Sequence, residues 1–253
     1  MDETDPRAMG LFFQVFESLP RQGPGNRACA RKALRLCRDL PSSPRILDLG
    51  CGVGGQTHHL AGLTAGSILA VDSHAPFVAR LEATLAERGL SRRVEAVAED
   101  MARLELPPGS FDLVWSEGAF YNIGIDRALG ICHGLLRPGG HVAFTDAVWR
   151  KEDPPEQVKA SFADYPGMGR AEEVLARIEK GGFTLLGHFP LPDEAWWDDF
   201  YTPMTRRIET LRSRYAGDEE ALGVLEGIAE EPRLHRKWGD VYGYEFFVAG
   251  RRG

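Results

Sequence analysis

The stretch Arg45–Gln56, reading R-I-L-D-L-G-C-G-V-G-G-Q, constrains this chain more than any other part of it. Ile46, Leu47 and Leu49 form a short apolar run opened by Pro44, the pattern of a buried strand. Gly50, Gly52, Gly54 and Gly55 follow at once, and Gln56 to Leu60 can begin a helix. Glycine takes positive φ without a Cβ clash and lets the backbone approach a ligand closely. A strand, a glycine turn and a helix N-terminus in succession therefore make a cradle for a nucleotide or cofactor. The glycines alone do not choose which one. Gly50, Gly52 and Gly55 satisfy the dinucleotide pattern G-x-G-x-x-G, a weak signal by itself, whereas Gly50, Gly52 and Gly54 satisfy G-x-G-x-G. Asp48, two residues before the first glycine, would crowd a pyrophosphate but suits a ligand that carries an ammonium group. The bland alternative is a glycine turn with no ligand.

Beyond this turn, strand patterns alternate with helical ones. Ser67–Asp72 reads as a second strand ending in a carboxylate. Asp72 lies roughly 20 residues past the glycines, the distance at which nucleotide-binding folds offer an acid to ribose hydroxyls. Ser73 is a candidate cap for a helix with Phe77, Leu81 and Leu85 inward and Gly89 as its stop. Val94–Ala98 and Phe111–Ser116 are the next strands, the first followed by Glu99, Asp100 and Met101. Leu129, Cys132, Leu135 and Leu136 mark a helix that ends at Arg137-Pro138-Gly139-Gly140, and His141–Asp146 is the fifth strand. Phe183–Phe189 and Tyr244–Ala249 complete a set of seven. This alternation predicts an α/β fold with a doubly wound, mostly parallel sheet.

The run D-L-G-C-G-V-G resembles motif I of the class I S-adenosylmethionine-dependent methyltransferases, and L-L-R-P-G-G followed by H-V-A-F-T-D resembles that family's fifth-strand signature. Motif I, the ribose acid, an acid after the third strand and this signature stand in register from about Pro44 to Phe189. The resemblance implies a Rossmann-like sheet and S-adenosyl-L-methionine as cofactor. Asp48, Gly50, Gly52, Gly54, Gln56, Asp72, Ser73, Asp100, Met101 and Ser116 are then its expected contacts, Asp100 toward the adenine amino group with Met101 against the ring. Arg21 and Gln22, set between prolines and glycines, are placed to close over the cofactor's carboxylate as a lid ordered by it.

Around this core, residues 1–43 are expected to form a helical cover, with Phe12, Phe13, Val15 and Phe16 in one segment and Asn26 capping the next helix. Residues 44–190 and 243–253 make the core, and 191–242 a helical insertion between the last two strands, whose final helix runs from an Asp218 cap to about Glu230, before Pro232. Lys151–Gly169 is polar and proline-broken, a second insertion. In open α/β sheets ligands bind beyond the carboxyl ends of the strands. The segments leaving those ends carry Glu117, Phe120, Tyr121 and Asn122, then Trp149, then Trp196, Trp197 and Tyr201 as candidate acceptor contacts, with Glu117 and Tyr121 nearest the chemistry. The fourth strand is followed by S-E-G-A-F-Y-N, not the Asn-Pro-Pro-Tyr run of the adenine and glutamine N-methyltransferases, which argues against base or amide methylation.

Composition excludes other classes. At 253 residues with 43% hydrophobic and 26% charged residues the chain is an ordinary globular protein, and its net charge of −7 offers no global support for a nucleic-acid surface. Arg31, Lys32, Arg35 and Arg38, like Arg206, Arg207, Arg212 and Arg214, fall on helical patterns and read as solvated faces. Cys29, Cys37, Cys51 and Cys132 make no zinc spacing, His58 and His59 cannot both face one metal, and no metal site is expected. Met1–Gly10 is acidic and polar, unlike a signal peptide, and no apolar run suits a bilayer, so a cytoplasmic protein with a small-molecule acceptor and no membrane partner is expected. A homodimer stays open. The competing classes are a nicotinamide-dependent oxidoreductase, against which Asp48 and the fifth-strand signature weigh, and a non-catalytic cofactor-binding protein.

Overall fold

The computed structural model describes residues 5–252. Its seven strands are β1 (Arg45–Leu49), β2 (Ser67–Asp72), β3 (Val94–Ala98), β4 (Phe111–Glu117), β5 (Leu136–Trp149), β6 (Phe183–Pro190) and β7 (Tyr242–Arg251), in one sheet of order β3-β2-β1-β4-β5-β7-β6. The first five strands pair in parallel, and β7 runs antiparallel to both β5 and β6. After β1 the chain moves outward to β2 and β3 and then returns to the other side of β1 as β4. The loops leaving β1 and β4 diverge there, which opens a crevice at the carboxyl edge.

Alternation along each strand sends successive side chains to opposite faces. Ile46, Ile68, Leu113, Trp115, Phe246 and Val248 pack with α2 (Arg27–Leu36), α3 (Gly55–Leu63) and α4 (Ala75–Glu87) on one face. Leu47, Val71, Val114, Val142, Phe247 and Ala249 pack with α5 (Ile125–Leu135) and α7 (Ala171–Lys180) on the other. A third apolar cluster covers the carboxyl edge. It joins Val15 and Phe16 of α1 (Pro6–Phe16) to Met204, Ile208 and Leu211 of α9 (Thr202–Arg214) and to Leu225 and Ile228 of α10 (Glu219–Trp238). Between β6 and α9 lie the short α8 (Glu194–Trp196) and a wide π turn over Trp197–Tyr201.

Four local expectations are corrected. The last helix does not stop before Pro232: α10 continues to Trp238 with Pro232 buried inside it, because burial of Ile228, Ala229 and His235 outweighs the loss of one backbone donor. Ser73 does not cap α4; His74 is the N-cap residue, and its N–H donates to Asp72 Oδ1 at 2.9 Å. β5 is longer at both ends than His141–Asp146, because β4 pairs with it at Leu136 and β7 pairs with it from His141 to Trp149. The insertion Lys151–Gly169 contains α6 (Glu156–Ala160). Asp218 and Asn26 do cap their helices, accepting from Ala221 N and Cys29 N. The reading of Met1–Gly10 falls partly outside the described residues. Among those described, no helix is long and apolar enough to cross a membrane.

Candidate cofactor and acceptor site

The glycine loop sits at the crevice. Gly50, Gly52 and Gly54 have φ of 71°, 55° and 91°, which side chains rarely adopt. The N–H groups of Gly50 and Cys51 both donate to Val71 O, at 2.8 and 3.0 Å, so the loop is fastened to the end of β2. Gly52 N donates to Asp72 Oδ2 at 2.8 Å. Asp72 thus braces the loop with one oxygen and the start of α4 with the other, while still lining the cavity in front. A Cβ on Gly52 would collide with Gln22 Oε1, which accepts from Val53 N at 2.9 Å. The N-terminal cover and the loop therefore meet at van der Waals distance.

In front of the loop is a cavity of about 980 Å³. Gly50, Gly52, Gln56, Asp72, Ser73, Asp100 and Met101 line its β1–β3 end, together with Glu99 and His74. His74 stacks on Phe13 with ring centroids 3.9 Å apart, so α1 closes this end. Between the two ends lies an ion pair: Arg21 Nη2 donates to Glu117 Oε2 at 2.7 Å, with the residues only 3% and 8% exposed. Trp115 Nε1 donates to Glu117 Oε1 at 2.9 Å, and Arg21 also donates to the carbonyls of Gly23 and Pro24. Arg21 Nη1 is buried without a hydrogen-bond partner. Both Glu117 oxygens are engaged, so it is held as a paired carboxylate and not as a free base. The loop bearing Arg21 is held in this structure by these bonds of the protein's own.

The other end is walled by rings and acids. Tyr121, Asn122, Trp196 and Tyr201 line it as expected, joined by Phe162, Phe200, Tyr242, Tyr244, Glu230 and Glu231. Tyr201 Oη donates to Glu231 Oε1 at 3.0 Å. Glu231 is exposed as a residue, and the protein crowded around its carboxyl nevertheless pushes that group up to about 7 by desolvation. Glu231 was missed because it sits against Pro232, where the helix was expected to end; Tyr242 was missed as the last residue of the insertion and Tyr244 as the first of a strand.

Six expected contacts do not reach the cavity lining. Asp48 is fully buried behind the loop, where Thr57 Oγ1 donates to it at 2.6 Å and Gln56 Nε2 at 3.3 Å; desolvation pushes its carboxyl up to about 7. It anchors the start of α3 and meets no ligand directly. Gly54 is the N-cap residue of α3, where a Cβ would strike Leu81. Ser116 is buried and donates to Leu49 O at 2.9 Å, tying β4 to β1. Phe120 is buried against Phe144 beneath the sheet edge. Trp149 packs edge-on to Phe162, and Trp197 faces a separate cavity of about 720 Å³ with Arg236 over its ring. Among the described residues, no group of three or more His, Cys, Asp or Glu is placed to hold a metal.

A glycine loop at a topological switch point, an acid ending β2 and a covered cavity at the carboxyl edge define a Rossmann-like cofactor-binding enzyme fold. Residues 46–140 match the methyltransferase-domain family. Over 204 residues the chain is 28% identical to 24-methylenesterol C-methyltransferase 2 of Oryza sativa subsp. japonica, covering 74% of this chain and 55% of that protein. The chain spans about half to three fifths of the length of the curated sterol relatives it matches (55%, 61% and 47%). Its fold is that of a SAM-dependent methyltransferase from Geobacter sulfurreducens solved with S-adenosyl-L-homocysteine, with a TM-score of 0.81 and 20% identity over 98% of this chain and 99% of that one. It is also that of the [4+2]-cyclase SpnF, with a TM-score of 0.75 and 21% identity over 97% and 92% of the two chains. These likenesses in sequence and fold agree with the resemblance to the class I S-adenosylmethionine-dependent methyltransferases carried by the glycine loop and the fifth strand.

Proposed function

We propose that this protein binds S-adenosyl-L-methionine and directs transfer of its methyl group to a small-molecule acceptor. The observation that carries the reading is one continuous cavity joining the glycine-loop end to the aromatic end. The residues present fit the cofactor: Gly50 and Gly52 bring the loop backbone to the cavity wall, Asp72 is a carboxylate for a vicinal diol, and Asp100 and Met101 flank the place for a base. The buried, unpartnered Arg21 Nη1 offers a donor to a carboxylate. The cofactor supplies a methyl already activated on a sulfonium, so no covalent enzyme intermediate is needed.

The chain's part is to orient and to exclude water. Holding two reactants in line is worth roughly 7–11 kcal/mol at best. α1, α9 and α10 cover the cavity, and the Arg21–Glu117 pair fixes the cover to the end of β4. The free, buried cysteines Cys29, Cys37, Cys51 and Cys132 support a reducing, cytoplasmic setting. Titration with S-adenosylhomocysteine, followed by turnover of labelled S-adenosylmethionine against a panel of small acceptors, tests the reading. Tight binding with no methyl transfer to any acceptor would favour a second reading, a cofactor-binding protein of other activity, for which the likeness in fold to a cyclase is the specific support.

A further inference from the structure

The charges and rings on the cavity wall narrow the class of acceptor, if the methyl-transfer reading above holds. Three of the lining acids, Asp72, Glu99 and Asp100, leave the ends of β2 and β3. Beyond them the wall carries Glu117, Asp164, Glu230 and Glu231. Among the described residues it carries no lysine, and its one arginine, Arg21, is paired with Glu117 and has its remaining donor, Nη1, assigned to the cofactor carboxylate by that reading. An anionic acceptor would enter a field of carboxylates with no free cation to receive it, a like-charge juxtaposition that opposes binding. A cation meets the opposite situation.

The aromatic side chains are arranged for one. Trp196 is central, with ring centroids 5.7 Å from Tyr201, 6.3 Å from Tyr242 and 5.1 Å from Tyr244. The last two stand nearly edge-on to it, at 85° and 75°, and His235 stacks on it with centroids 4.1 Å apart, so the rings form one packed aromatic wall at this end of the cavity. Three separate elements converge: α8 brings Trp196, the π turn brings Tyr201, and β7 brings Tyr242 and Tyr244. Their faces carry the negative side of the ring quadrupole, which attracts ammonium groups. Glu231 reaches the same chamber from α10 and, among the described residues, takes a single hydrogen bond, from Tyr201.

We propose that the acceptor is an amine that arrives as its ammonium ion, held against the aromatic wall around Trp196, and that Glu231 receives its proton. The N–H bond breaks with its electron pair left on nitrogen, and the proton passes to the Glu231 carboxylate. That pair then forms the new N–C bond as the S–C bond of the methyl donor breaks and its electrons stay on sulfur. Glu231 afterwards returns the proton to water. Its carboxyl, pushed up to about 7 by the protein crowded around it although the residue is exposed, is matched to this role near neutral pH. The titratable groups around it are Tyr201 from the π turn, Tyr242 and Tyr244 from β7, and His235 one turn further along α10; burial pushes the phenols up and His235 down, so all four are neutral there.

The test is calorimetry on the full chain saturated with S-adenosylhomocysteine, using three probes of one shape: choline, its uncharged carbon isostere 3,3-dimethylbutan-1-ol, and 3,3-dimethylbutanoate. Choline is expected to bind about tenfold or more tightly than the alcohol, with the anion weakest. Glu231→Gln should cost choline about tenfold and leave S-adenosylhomocysteine affinity unchanged. Equal affinity for choline and the alcohol, or preference for the anion, overturns the proposal on the wild-type protein alone, whether or not the variant folds. With an amine acceptor, Glu231→Gln should lower kcat by about a hundredfold and abolish its rise as pH passes through about 7. An unchanged kcat removes Glu231 as proton acceptor. Failure of S-adenosylhomocysteine itself to bind is seen in the first titration and overturns the underlying reading instead.

Discussion

The two ends of the cavity are built on different principles. Over β1–β3, the binding surface is largely backbone and short-range: Gly50 and Cys51 reach Val71, and Gly52 reaches Asp72. Any sequence able to make a strand, a glycine turn and a helix could repeat it. Over β4, β5 and β7, the surface is made of side chains drawn from α6 and its following turn, α8, the π turn, α10 and β7. The first end can therefore recognise a shared cofactor, whereas the second can differ entirely between chains with one fold. A relative named for sterols and a structural neighbour named a cyclase are consistent with that division. The Arg21–Glu117 pair is where the two ends are joined.

The division can be broken most sharply at the loop. Gly52→Val should abolish S-adenosylhomocysteine binding by calorimetry, because a branched side chain is strained at this φ and collides with Gln22. Retained affinity would show that the loop is not the cradle. Arg21→Met should lower stability by about 3–5 kcal/mol, because Glu117 is left charged in a buried place. Denaturant unfolding measures this, and a loss below about 1 kcal/mol would mean that the junction relaxes easily. Asp72→Ala should weaken cofactor binding by roughly 1.5–3 kcal/mol, with acceptor-probe binding untouched; a loss at both ends would contradict their independence.

A smaller effect is expected from pH. Tyr165 Oη donates to Asp146 Oδ2 at 2.7 Å, and burial pushes the Asp146 carboxyl up to about 6. Because the folded state holds this proton more tightly than the unfolded one, the contribution is fully present below about pH 4 and is lost as pH rises through about 6. Asp146→Asn should therefore flatten the fall in melting temperature between about pH 4 and 6, measured against wild type. The smallest change is predicted for Trp197→Ala, since Trp197 faces the other cavity. Affinities for S-adenosylhomocysteine and choline should both stay within about twofold by calorimetry, the range expected of a substitution away from the site. A tenfold loss of choline binding would move Trp197 into the acceptor end.

Much of the first end was legible in the sequence. Pro44 to Gln56 encodes its strand, turn and helix start locally, and Asp72 follows from the length of one βα unit. Even there, Asp48 and Gly54 were placed on the ligand side, when Asp48 is buried against Thr57 and Gly54 turns the chain into α3. Local pattern reports that a residue belongs to a turn; it does not report which way the side chain points. The second end shows the limit more plainly. Trp196 and Trp197 are adjacent and alike in composition, yet Trp196 reaches the acceptor end as well as the second cavity and Trp197 only the second, a choice made by how α8 and the π turn pack on α10. Glu231 has no local signal at all: it needed α10 to continue through Pro232, and that continuation depends on burial against the rest of the cover. The sequence by itself determined the order of strands and helices, the glycine cradle and the acid at the end of β2, because those rest on backbone conformation and periodicity between near neighbours. Only the tertiary structure decided which rings and acids face the cavity, because that depends on the packing of segments far apart in the chain.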